Sequence, residues 1–371
     1  MRPKVLVGMS GGIDSAVAAV ILKESGFDVH GAIVEIWQDN STPDVRKNIG
    51  RPWYERSCCH LPMVEYLCEE LRLPFITIDR KHAFQEKVVD GFKEGYRKGI
   101  TPNPCTTCNA EIKLNTLLHW AAENGFHFVA TGHYVRKQYS VRDRIWGIAR
   151  AKDHKKDQSY FLSRVQGNSL SRIIFPLGNW TKETVRAFGR QKGLPVEEMV
   201  ENMEACFLSA KNVTEFLRKE EWGIKSERWA VVDSRGITLG SIATGVGLTR
   251  GQRRGVGIPN VERMYVKRVD MEKKTVVMGN KREIMSQSFQ ICDPMGPMFE
   301  RTLTAKKYVR FRSTMEGIPC KEKEENQLQF DLFGESDGVT PGQIAVFYDE
   351  DEMVIGSGVI ERDWSVEDYV C

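Results

Sequence analysis

Residues 7–15, VGMSGGIDS, set the strongest limit on what this chain can become. They follow the short run KVLV and lead straight into SAVAAVILKES, whose small and aliphatic residues recur at helical spacing. A strand feeding a helix through a glycine-rich turn opens a βα unit, and such units build parallel sheets. Consecutive glycines let backbone N–H groups converge into an anion-holding nest, and the following helix adds its positive end. Ser10 and Ser15 add hydroxyl donors. The turn lacks the lysine that closes a Gly-x-x-x-x-Gly-Lys-Ser/Thr loop, so it is not the loop of an ordinary ATPase or GTPase. Asp14 would repel bare phosphate and is expected to meet it through Mg²⁺. Two glycines alone could be a tight connection; the full string Ser-Gly-Gly-x-Asp-Ser favours a phosphate site.

The βα alternation continues. DVHGAIVEIW and PFITIDR read as strands, HLPMVEYLCEELRL and AFQEKVVDGFKEGYRKG as helices, then AEIKLNTLLHWAAENG as a helix and HFVATGH as a strand. This predicts a mostly parallel sheet covered on both faces, with ligands at the strands' carboxyl ends, where VGMSGG and ATGHY both fall. Beyond about residue 208 the long helical patterns stop. RWAVVDSRGITLG and RMYVKRVDMEKKTVVMG read as hairpins. From residue 288, short strands (FQICD, LTAKKYVRFR, LQFDLF, QIAVFYD and MVIGSGVIER) predict a small antiparallel barrel or sandwich.

A length of 371 residues predicts two or three domains. No apolar run reaches the about 20 residues of a membrane span, and the N-terminus enters a strand at once, so a cytoplasmic protein is expected. The net charge of +3 permits a nucleic-acid partner if basic residues cluster, as in YVRKQYSVRDR, TRGQRRG and AKKYVRFR; a solvated surface explains each run equally well. The nine cysteines are an odd number and argue against a disulfide framework.

SGGIDS resembles the PP-loop of the N-type ATP pyrophosphatases, which transfer AMP and release pyrophosphate. The segments TPNPCTTCNAEIKL (101–114), ATGHY (130–134), KKDQSYFL (155–162), FPLGNWTKETVR (175–186), GQRRGVGIP (251–259) and TPGQIAVFYD (340–349) resemble, in order, those of the MnmA family of tRNA-specific 2-thiouridylases. The resemblance covers nearly the whole chain. It implies a parallel-sheet PP-loop domain over 1–208, a small mostly-β central domain over 209–286 and a C-terminal antiparallel β-barrel over 287–371.

The activity so implied is ATP-dependent 2-thiolation of the wobble uridine in tRNA. Adenylation activates the base carbonyl oxygen, and a persulfide delivers sulfur. Cys108, just before a helix whose dipole favours thiolate, is implied as the first catalytic cysteine and Cys206 as the persulfide carrier. The ATP site is implied at Gly8, Met9, Ser10, Gly11, Gly12, Ile13, Asp14 and Ser15, with Val34 and Gly132. Contacts with tRNA are implied for Asn103, Pro104 and Cys105 near the target base, for His133, for Lys156, Asp157 and Gln158, and for Arg310, Phe311 and Gln343 from the barrel. A sulfur-donor protein and a monomeric enzyme are expected.

The pattern departs from the family at ENMEACFL, where Asp-Ser-Gln-Glu-Ile-Cys-Phe is usual, and at GVGLTRGQR, where His-Tyr-Thr-Ile-Gly-Gln-Arg is usual. Cys105 stands where many relatives carry aspartate. Cys105, Cys108 and Cys206 could therefore hold a [4Fe–4S] cluster with one open iron, and CTTC with SCCH (57–60) could hold zinc. A PP-loop ligase acting on another acceptor and an idle tRNA-binding protein are the other classes open to this sequence.

Overall fold

Val5, Leu6 and Val7 are wholly buried because β1 (Lys4–Gly8) is a central strand. Val5 and Val7 pack in one apolar layer with Ala16, Val17 and Ala19 of α1 (Ile13–Glu24). Leu6 faces the opposite layer, with Leu117, Ala121 and Val129. Burial on both faces is why the run shows no polar alternation. The computed structural model describes residues 2–37, 61–141, 144–165, 167–197, 206–208, 213–219, 228–257, 263–300, 306–324 and 326–363. Cys58, Cys59, Cys371 and the SCCH string lie outside the described residues.

The chain divides into two compact units: residues 1–89, 105–209 and 351–354, and residues 90–104, 210–350 and 355–371. In the first, α1 is followed by β2 (Asp28–Glu35), α2 (Leu61–Glu70), β3 (Phe75–Asp79) and α3 (Lys81–Phe84). A π-helical segment, Gln85–Asp90, leads to α4 (Gly91–Arg97) of the second unit. The chain continues with α5 (Pro104–Thr107), a second π-helical segment (Cys108–Leu114) and α6 (Asn115–Glu123). Next come β4 (Phe128–Thr131), β5 (Val135–Ser140), β6 (Ile145–Arg150), α7 (Gly167–Leu170), β7 (Ile173–Ile174) and α8 (Lys182–Gln191).

The five-stranded sheet has the order β3-β2-β1-β4-β7, and every pair is parallel. The chain moves outward from β1 to β3, then crosses back to β4 on the other side of β1. The carboxyl ends of β1 and β4 therefore flank a topological switch point, where open α/β sheets take ligands. The basic run YVRKQYSVRDR, open in the sequence to either a nucleic-acid patch or a solvated surface, forms β5 and the turn of the β5–β6 hairpin. Tyr139 and Trp146 pair across it, ring centroids 5.2 Å apart. Lys137 spends its ammonium on the carbonyls of Leu170 (3.2 Å) and Ile173 (2.8 Å).

The second unit contains α9 (Val213–Lys219) and a four-stranded sheet ordered β10-β11-β8-β9. β8 (Trp229–Asp233) and β9 (Thr238–Ile242) form the expected hairpin, and the Asp233 carboxylate accepts from Arg235 N and Ile237 N to close its turn. β10 (Tyr265–Asp270) and β11 (Thr275–Gly279) form the other hairpin. The two are joined by parallel pairing of β11 with β8, which the sequence did not signal. β12 (Ser286–Met295), α10 (Pro297–Glu300), β13 (Lys307–Arg310), β14 (Ile318–Lys323), β15 (Asn326–Ser336), β16 (Ile344–Tyr348) and β17 (Val354–Asp363) follow. The six strands close into a barrel, filled by Phe289, Phe311, Phe330 and Phe347. Among the described residues no helix is long and apolar enough to cross a membrane.

Arg250, in the basic string TRGQRRG, is buried rather than solvated. Its guanidinium donates to Val339 O (3.1 Å), Lys267 O (3.2 Å), Ile284 O (3.0 Å) and Ser286 Oγ (3.4 Å). One side chain thus satisfies carbonyls from several segments of this unit. Arg250→Ala leaves them unpaired and is expected to destabilise the unit by about 3 kcal/mol or more. Urea unfolding followed by tryptophan fluorescence checks this; a change below about 1 kcal/mol, the scale of a surface arginine, contradicts the reading.

Candidate active site

The glycine turn leaves β1 at Gly8 and bends through Gly11, whose φ of 77° suits glycine. Ser15 Oγ ties the loop together, accepting from Ser10 N (3.1 Å) and donating to Gly12 O (3.0 Å). Gly12 stands at the N-cap in extended conformation and brings no side chain to cap α1. The first N–H groups of a helix have no intrahelical partners, so Ile13, Asp14 and Ser15 begin an anion-seeking helix end. Met9 and Ile13 are buried and fix the loop from behind. Val34 is half-buried on β2 beside β1.

Asp14 reaches residues distant in sequence. Lys182 Nζ, from the first turn of α8, donates to Asp14 Oδ1 (2.8 Å) and Oδ2 (2.9 Å). Tyr134 Oη donates to Oδ1 at 2.7 Å. Lys182 is held in place: Thr181 caps α8 by accepting from Thr184 N, and Lys182 N donates to Asp153 Oδ2 (2.9 Å). The cation beside Asp14 is therefore an ammonium group, and both carboxylate oxygens are engaged. Among the described residues, no three His, Cys, Asp or Glu side chains gather as a metal site. A Mg²⁺ ligated by Asp14 would take the place of Lys182 or Tyr134 at one carboxylate oxygen. Nothing within FPLGNWTKETVR itself marks Lys182, whose partner lies 168 positions away.

Gly132 closes the site from β4. A Cβ there would lie 2.6 Å from Asp14 C and Ser15 N, so the end of β4 meets the first turn of α1 backbone to backbone. Just beyond, Thr131 Oγ1 and His133 Nδ1 are 2.8 Å apart. Burial first, then the Lys113 charge, push the His133 imidazole down to about 3. It is a neutral hydrogen-bonding group at physiological pH.

Three cysteines belong to the same unit. Cys105 is half-buried in α5, Cys108 is buried at the start of the second π-helical segment, and Cys206 opens a 3₁₀ turn, Cys206–Leu208. That turn is anchored by Phe207, whose ring packs on Trp37 (6.2 Å) and Phe84 (5.9 Å). Phe84 ends α3, which packs against Cys108–Leu114. Burial pushes the Cys105 thiol up; Lys113 opposes that and the charge of Cys206 adds to it. Lys113 thus faces both Cys105 and His133, a role the sequence did not suggest. By contrast, burial pushes Cys68 up to about 11 and Cys320 up to about 12, marking them as inert packing thiols.

The implied RNA-contacting residues divide into two groups. In the second unit, Asn103 Nδ2 donates to Gln343 Oε1 (3.3 Å), and Gln343 Nε2 donates to Thr101 O (2.8 Å) and Pro102 O (3.3 Å). The segment leading to Pro104 is therefore braced by the 340–343 turn. In the first unit, Gln158 accepts from Tyr134 N (2.8 Å), and Lys156 is half-buried in the adjoining loop. Asp157 is buried and accepts from Ala151 N, Ser159 N and Ser159 Oγ, so its carboxylate shapes that loop from within. Arg310 and Phe311 depart from a surface role. Arg310 lies inside the barrel, donating to Met315 O (2.8 Å) and Ser313 O and stacking on Tyr348; Phe311 packs edge-on to Phe289 at 4.9 Å.

Residues 3–210 match the family model described as tRNA methyl transferase HUP domain, and residues 282–360 the one described as aminomethyltransferase beta-barrel domain. A tRNA-specific 2-thiouridylase of Thermoanaerobacter sp. (strain X514), MnmA 2, is 35% identical over 369 residues, 97% of this chain and 98% of its own. The MnmA of Caldicellulosiruptor saccharolyticus is 35% identical over 370 residues, 98% and 99% of the two chains. The chain belongs to the MnmA family. The U34-tRNA thiolase NcsA from Methanococcus maripaludis, solved with its [4Fe-4S] cluster, is similar at a TM-score of 0.34 and 19% identity over 60% of this chain and 68% of its own. A likeness that loose says nothing about Cys105, Cys108 and Cys206 as cluster ligands. The MnmA match covers both the glycine loop and the paired thiols.

Two outcomes test the site's geometry directly. A double-mutant cycle of Asp14→Asn with Lys182→Met is expected to give a coupling energy of about 1–3 kcal/mol in urea unfolding; a value near zero removes the pair. His133, with its folded pKa depressed below the unfolded value, favours the fold fully above the unfolded pKa of about 6.5. That contribution is lost as pH falls toward 3, because only the unfolded chain takes the proton. NMR of ring-labelled histidine should show one imidazole that does not titrate between pH 5 and 8. If every ring titrates near 6.5, the buried neutral assignment is wrong.

Proposed function

We propose that this chain uses ATP to adenylate the C2 carbonyl oxygen of the wobble uridine in tRNA, then replaces that oxygen with sulfur carried as a persulfide on Cys206. The observation that carries this reading is the presence, in one unit, of the switch-point phosphate loop and the thiol group Cys105, Cys108 and Cys206. The bond broken in ATP lies at the α-phosphate, so the loop must hold pyrophosphate as it leaves. The N–H groups at the start of α1, Ser10 and Ser15 suit that task. Lys182 supplies the cation absent from the loop sequence, exchanging one Asp14 oxygen for a phosphate oxygen. Mg²⁺ would accompany ATP and screen its phosphate charge, and the Asp14 oxygen released by Lys182 would be the group to hold it.

Once adenylated, the C2 oxygen departs with AMP. Cys108 attacks the Cys206 persulfide at its inner sulfur, forming the Cys108–Cys206 disulfide and releasing sulfide, which adds to C2. Neutral His133 offers a hydrogen bond at this site without adding charge. The anticodon loop is a suitable target because its bases are unpaired and can be drawn out at a cost of a few kcal/mol or less. Asn103, Pro104, Cys105, His133, Lys156, Gln158 and Gln343 are the proposed RNA contacts, a separate sulfur-donor protein loads Cys206, and the enzyme acts as a monomer in the cytoplasm.

Pyrophosphate release measured with and without tRNA tests the reaction class. Release should depend on tRNA bearing a wobble uridine. Asp14→Asn and Lys182→Met should each lower it by roughly 10² or more, the scale of one lost electrostatic stabiliser. Cys206→Ser should release pyrophosphate yet make no 2-thiouridine. Normal 2-thiouridine formation by Cys206→Ser would refute the carrier assignment, and tRNA-independent release would point to another acceptor.

A further inference from the structure

We propose that Cys105 resolves the Cys108–Cys206 disulfide, moving the oxidised pair into the CTTC segment and restoring Cys206 as a thiol ready for reloading. This rests on the persulfide reading above. Cys105 and Cys108 stand three residues apart along one continuous helical segment. Residues so spaced share a helix face with Cβ atoms about 5–6 Å apart, and a small local adjustment closes such a pair into a disulfide. The change from α to π winding falls at Cys108 itself, so the backbone there already departs from regular helix.

Cys206 is brought to this helix by Phe207, which docks on Trp37 and Phe84, and α3 packs against the Cys108–Leu114 segment. Two thiols thus sit on one helical segment and the third on the turn docked beside α3, and none is in a disulfide.

The step balances without an added oxidant. The Cys105 thiolate attacks the Cys108 sulfur of the Cys108–Cys206 bond. The Cys105–Cys108 bond forms, the Cys108–Cys206 bond breaks, and the electron pair leaves on Cys206 as thiolate. The oxidation present at the start is the one sulfide release created. The order follows from the chemistry: the Cys108–Cys206 bond that Cys105 attacks exists only after sulfide has been released. A dithiol reductant then regenerates the CTTC pair, the kind of disulfide such reagents reach by exchange.

The test follows one turnover. Full-length protein is persulfidated with sodium tetrasulfide, mixed with ATP and wobble-uridine tRNA without reductant, quenched in acid and alkylated. Cys105 and Cys108 share the tryptic peptide 99–113, so their disulfide appears as an unalkylated peptide two mass units lighter than the dithiol. The same sample is assayed for 2-thiouridine. The expected result is 2-thiouridine together with the internally bridged peptide and an alkylated Cys206. In Cys105→Ser, the 99–113 peptide should instead be cross-linked to Cys206. Product formed with Cys105 alkylated and Cys108 bound to Cys206 in the wild type overturns the shuttle and leaves the persulfide reaction standing. So does product with Cys206 alkylated in Cys105→Ser. Absence of 2-thiouridine and of any disulfide defeats the persulfide reading itself, and this proposal with it.

Discussion

The candidate site depends on the approach of the end of β4 to the first turn of α1. With a Cβ at position 132 placed 2.6 Å from backbone atoms of Asp14 and Ser15, only glycine permits the contact. That contact sets the distance between the glycine loop and His133. It also brings Tyr134 within 2.7 Å of Asp14. Lys182 then completes a three-point hold on the Asp14 carboxylate. The loop is therefore poised before any ligand arrives, which is how a site avoids reorganisation during reaction.

Two kinds of chemistry share one structural unit. The strand ends of the parallel sheet supply the anion-binding loop, whereas the thiols come from the helical segment 104–114 and the Cys206 turn. Their tasks conflict if they are not ordered, because a persulfide exposed to neighbouring thiols is easily discharged. Burial and like charge hold Cys105 in its thiol form, and the Cys206 turn is anchored by the aromatic neighbour Phe207. Cys68 and Cys320, pushed up to about 11 and about 12, show what burial alone does to a thiol.

Much of the sheet was legible in the sequence because β1 is buried on both faces, α1 is apolar through most of its length, and α2 carries a buried stripe at Met63, Val64, Leu67 and Cys68. VGMSGGIDS could be read locally, since glycine turn, strand and helix adjoin. What escaped reading has a common cause: the deciding partner is remote. Lys182 is explained only by Asp14, and the parallel pairing of β11 with β8 only by the sheet. Arg250 and Arg310 look like solvated charge until clusters of carbonyls surround them. β14 (IPCKEK) turns only Cys320 fully inward, too faint an alternation to mark a strand.

The central claim is that the phosphate loop serves to move AMP onto the base oxygen that sulfur replaces. Its most direct measurement uses tRNA carrying ¹⁸O at C2 of the wobble uridine. After thiolation, mass spectrometry of the released AMP should find the label there, with 2-thiouridine formed in equal amount. Label found in water or retained on the tRNA, with unlabelled AMP, would contradict adenylation of that oxygen.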